Sequence, residues 1–81
     1  MTVEKLRARI EECIVLVGFE YHGKRYSIEP CYDPDAKRQE YLIYIENDTE
    51  VLYDIDEVMN RKMFDGKALS EIVDEIVIVE F

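Results

Sequence analysis

An 81-residue chain with 19 acidic and 10 basic side chains has a formal net charge of −9, which disfavours direct nucleic-acid binding, because phosphate affinity comes from Lys and Arg displacing counterions. Six Tyr, three Phe and a 48% apolar composition exclude a disordered chain, and the length admits one domain, 1–81, with no room for a second. The longest apolar runs, Ile14 to Val17 and Ile76 to Val79, fall far short of the roughly 18–20 residues of a membrane helix.

Thr2 is placed to cap a helix whose apolar positions Val3, Leu6, Ile10 and Cys13 recur at steps of three, four and three. Charges fill the other face. The same interleaving is unlike the unbroken apolar stretch of a secretory signal, so the chain reads as cytoplasmic with no membrane partner.

Residues 14–21 and 24–31 flank His22-Gly23, a two-residue turn with the glycine that positive φ favours. Counting outward places Phe19 opposite Tyr26 and Val17 opposite Ile28, with Glu20–Arg25 and Gly18–Ser27 on the other face. Pro30 marks the end of the second strand or an edge position. Residues 33–39 read as an exposed turn and loop, and 40–46 as a third strand that alternates Tyr41, Ile43 and Ile45 against Leu42 and Tyr44.

Asn47-Asp48-Thr49 reads as a turn into a short Val51-Leu52-Tyr53 segment. Asp54 with Glu57 then starts a helix carrying Ile55, Val58 and Met59, which Asp65-Gly66 breaks. Leu69, Ile72, Val73 and Ile76 define a second short amphipathic helix, and the β-branched IVIVEF a closing strand. The predicted class is α+β: an N-terminal helix, a three-stranded antiparallel meander, two short helices and a C-terminal strand.

Few residues point to chemistry. Asp54, Asp56 and Glu57 form a D-x-D-E string of hard oxygen ligands, but carboxylates on a first helical turn serve the exposed amides there, so capping is the preferred reading. His22 has no second ligand or nucleophile at a recognisable spacing and reads as a turn residue. Cys13 and Cys31 lack a C-x-x-C spacing and read as free thiols that serve as small core residues. No catalytic residue, metal ligand or cofactor is assigned, and the chain reads as non-enzymatic.

Tyr26 and Tyr41 are expected in the core. Leu42 and Tyr44 share the other face of their strand with Leu16, and that face is a contact surface if no helix covers it.

Two strings, FEYHGKRYSI at 19–28 and MFDGKALSEIVDEI at 63–76, resemble a group of small bacterial, often phage-associated proteins. In that group an F-x-Y-x-G-K-x-Y-x-I hairpin precedes a D-G-K-x-L-x-E-I close. The resemblance implies no catalytic residue. It gives Asp65-Gly66 an architectural role as a tight turn, and a phage context implies an accessory or inhibitory part.

The charge is uneven. Residues 1–40 hold 8 acids and 7 bases, whereas residues 41–81 hold 11 acids and 3 bases. The leading expectation is therefore a protein whose acidic second half binds a basic surface of a host protein, as an inhibitor or phosphate mimic, through Asp48, Glu50, Asp54, Asp56, Glu57, Glu71, Asp74 and Glu75. The alternative is a structural or assembly subunit that oligomerises through an apolar sheet face, and the third is a small metal-dependent enzyme. The expected state is a monomer or weak homodimer.

Overall fold

The computed structural model describes residues 2–12 and 16–80. Cys13, Ile14, Val15 and Phe81, which were assigned to the first helix and to the first and last strands, lie outside the described residues.

Helix α1 (Val3–Glu11) starts where expected, with Thr2 Oγ1 accepting the Lys5 N–H at 3.2 Å. Its Leu6 and Ile10 are buried and its charged side chains face outward. Strands β1 (Val17–Tyr21) and β2 (Lys24–Asp33) pair in the register that counting gave: Val17 with Ile28, Gly18 with Ser27, Phe19 with Tyr26 and Glu20 with Arg25. His22 and Gly23 between them have φ of 51° and 77°, and positive φ at both central residues gives a turn twist that matches the strands.

The expected three-stranded meander with two short helices is not the fold. With β3 (Arg38–Ile45), β4 (Asp48–Leu52) and β7 (Val77–Glu80), the structure has a five-stranded antiparallel sheet in the order β4-β3-β2-β1-β7, a separate two-stranded ribbon and three short helices. β2 runs through Pro30 to Asp33, and Pro30 pairs with Tyr41 of β3. Residues 34–37 form the loop between these strands, and Asp33 Oδ1 accepts the N–H groups of Asp35 and Ala36.

Residues 48–52, read as a turn and a short segment, form the edge strand β4 (Asp48–Leu52), which pairs with β3 along its whole length. Asp65-Gly66 does not break a helix. It reverses a hairpin between β5 (Lys62–Phe64) and β6 (Lys67–Ala68), with φ of 58° and 79°. The helices on either side are therefore brief: α2 (Ile55–Asn60) and α3 (Leu69–Ile72). Strand β7 (Val77–Glu80) joins the sheet beside β1, far from it in sequence.

One face of the sheet supplies Val17, Phe19, Tyr21, Tyr26, Ile28, Tyr41, Ile43 and Leu52 to a single core. Leu6, Ile10, Val58, Met59, Leu69 and Ile72 from the three helices, with Phe64 from the ribbon, close over it. At its centre Phe19 stacks on Tyr26 at 5.5 Å between ring centroids, and Phe64 meets Tyr26 edge-on at 5.2 Å. No helix of the described residues is long and apolar enough to cross a membrane.

Candidate functional site

Because all three helices pack on the core face, the opposite face of the sheet has no helical layer among the described residues. Side-chain alternation puts Gly18 and Glu20 of β1, Arg25, Ser27 and Glu29 of β2, Leu42 and Tyr44 of β3, and Thr49 and Val51 of β4 on that side. Leu42 lies between Glu29 and Val51 in the cross-strand register, and Tyr44 between Ser27 and Thr49. Leu16, just before β1, is half-buried, as are Leu42 and Tyr44, while Val51 is 40% exposed. At the far edge Val77 lies across from Glu20 and is 62% exposed. The surface is a flat apolar strip bordered by carboxylates, with Arg25 drawn towards Glu80 at 3.4 Å.

Four of the eight acids expected to bind a partner, Glu50, Asp54, Asp56 and Glu71, are engaged within the fold. Asp48 and Glu50 pair with Ile45 and Ile43, so they project towards the helical side at the β4 edge, and Glu50 meets Arg61 at 3.6 Å. Asp54 is the N-cap of α2 and accepts the Asp56 N–H at 2.7 Å, which makes capping its visible task. Asp56 binds Arg7 of α1 at 2.7 Å, and Glu57 stays exposed on α2.

Glu71 accepts both the Ala68 N–H and the Lys62 ammonium, so its carboxyl is held below the usual glutamate range, chiefly by the backbone bond and then by Lys62. Asp74 and Glu75 are exposed in the turn before β7. Burial raises the titration of the Tyr21 phenol first, and the charges of Glu75, Asp65 and Glu71 add to it.

Other readings change too. Cys31 is an exposed free thiol, not a core residue. His22 is a turn residue whose ring stacks on Tyr21 at 3.9 Å and approaches Asp65 of the second tight turn at 3.5 Å. Lys24 stands 3.9 Å from both Asp65 and Glu46, so the three turns at this end of the sheet share their charges. Among the described residues no three His, Cys, Asp or Glu side chains converge as metal ligands.

The uncovered face was half-legible. Leu42, Tyr44 and Leu16 were assigned to it from alternation, but Val51, Val77 and Val79 were missed because β4 and the β7 register depend on pairings distant in sequence. Comparison with protein-family models, curated proteins and solved structures gives no match.

Proposed function

We propose that this protein is a non-enzymatic binding protein that docks on a cationic surface of another protein through the uncovered face of its sheet. The observation that carries this reading is the strip of Leu42, Tyr44 and Val51, left bare by helices that all pack on the other side. Apolar area supplies affinity, and the surrounding excess of carboxylates selects a basic partner and speeds encounter. Where that cationic surface serves nucleic-acid binding, occupation of it makes the protein an inhibitor.

Affinity capture from a cell lysate at low and high salt, followed by direct binding of the purified captured protein, tests the proposal. Leu42→Glu and Tyr44→Glu are expected to abolish binding while the fold is retained, and raised salt to weaken it steeply. A captured protein that binds both variants as tightly as the wild type would sink it. The same bare strip supports a second reading, self-association. That reading predicts a mass that rises with concentration and returns to the single chain in Tyr44→Glu.

A further inference from the structure

Among the described residues the sheet has two free edges, and they are built differently. At β4, Asp48 and Glu50 turn carboxylates towards the core side of the sheet, and inward-pointing charge is a known obstacle to adding a further strand. At β7 there is no such guard: Ile78 faces Phe19 on the core side, and the strand contains neither proline nor lysine. Its register with β1 shifts once, so Val79 has no opposite residue, and Val79 and Val77 are 44% and 62% exposed. The outer backbone of β7 carries N–H and C=O groups with no neighbouring strand among the described residues.

The surroundings of this edge decide what it would accept. From Asp74 to Glu80 the chain consists of three acids and four apolar residues without a base. Glu20 lies across from Val77, and Arg25, held on Glu80, is the cation nearest in the ladder. A second copy of this chain would bring the same acids against themselves. An extended segment with alternating apolar and basic side chains would complete the hydrogen-bond ladder, cover Val77 and Val79 with its apolar side chains, and bring its cations to the acidic stretch that leads into β7, Asp74 and Glu75.

We infer that the free edge of β7 is a strand-addition site for an extended, basic segment of a partner protein. This site borders the uncovered face at Val77 but does not include Leu42, Tyr44 or Val51. A partner can use one without the other.

The test uses the whole protein with three synthetic peptides: alternating Val and Lys, alternating Val and Glu, and the Val–Lys peptide methylated at every backbone nitrogen. Hydrogen exchange followed residue by residue is the readout. The Val–Lys peptide is expected to slow the β7 amides that β1 leaves unpaired by about tenfold or more, and the other two peptides to leave them unchanged. Glu75→Lys combined with Asp74→Lys should weaken Val–Lys binding several-fold. Leu42→Glu should leave it intact, so the face can fail while the edge stands, and the reverse.

Equal binding of the methylated or Val–Glu peptide overturns the inference, as does protection centred on β4 or on the outer face. Slow β7 exchange without peptide, together with twice the mass of the chain, assigns the edge to a second copy and also overturns it.

Discussion

Glu71 Oε1 accepts the backbone N–H of Ala68 at 2.9 Å, three residues before it, and so closes one half of a capping box whose other half is missing because alanine has no side-chain acceptor. Replacing Ala68 with Ser supplies that acceptor to the start of α3 and is expected to raise stability by about 0.5–1 kcal/mol in chemical denaturation. The linkage of Glu71 runs in a definite direction. Its lowered titration adds stability at pH above the ordinary glutamate range, and that contribution disappears as pH falls through its own depressed value. Glu71→Gln should therefore melt lower than wild type at neutral pH, with the gap closing in acid; a gap constant across pH would contradict the role.

Phe64 ties the two-stranded ribbon to the sheet through Phe19 and Tyr26. Phe64→Ala is expected to cost about 3–5 kcal/mol, a large part of what a domain this small possesses, whereas Phe64→Leu should cost about 1 kcal/mol. Denaturant midpoints of the two variants measure the difference.

The glycines separate by conformation. Gly23 and Gly66 have positive φ, so Gly23→Ala and Gly66→Ala should each lose about 1–2 kcal/mol. Gly18 is different: a Cβ there would meet Glu80 Cβ at 3.5 Å, an ordinary contact. Gly18→Ala should be neutral or stabilise by about 0.5 kcal/mol, and a loss comparable with that of Gly23→Ala would show that the strand needs the missing side chain.

Alkali should unfold the protein through its buried phenols. Tyr21 and Tyr26 both titrate above the ordinary tyrosine value, burial being the first cause in each. The neutral form is the one the fold favours, so its contribution is complete below the ordinary tyrosine range and is lost as pH rises through the raised values. Tyr21→Phe should move the alkaline unfolding midpoint upward. Phenolate absorbance that develops fully before any loss of secondary structure would contradict this.

Local patterns were the legible part. The β1–β2 register followed from counting away from His22-Gly23, and the core positions of Tyr26 and Tyr41 from alternation. β4 was hidden because Asp48 and Glu50 occupy the positions where alternation expects apolar side chains, which an edge strand tolerates since its rim meets water. The Asp65-Gly66 pair was read correctly as a turn, yet a turn between Met63-Phe64 and Lys67-Ala68 is too short for period-2 and helical patterns to differ. Charge counted along a chain likewise does not show which carboxylates are taken up within the fold, as those of Asp54 and Glu71 are.

β1 sits inside the sheet only because residues 77–80 return to lie beside it. During synthesis the first hairpin can form early, but one flank of Val17–Tyr21 stays bare until nearly the whole described chain has left the ribosome. Completion of the sheet is thereby made to wait for residues 77–80, and a nascent chain stalled before residue 77 would present a sticky flank to chaperones and to its neighbours on the same messenger.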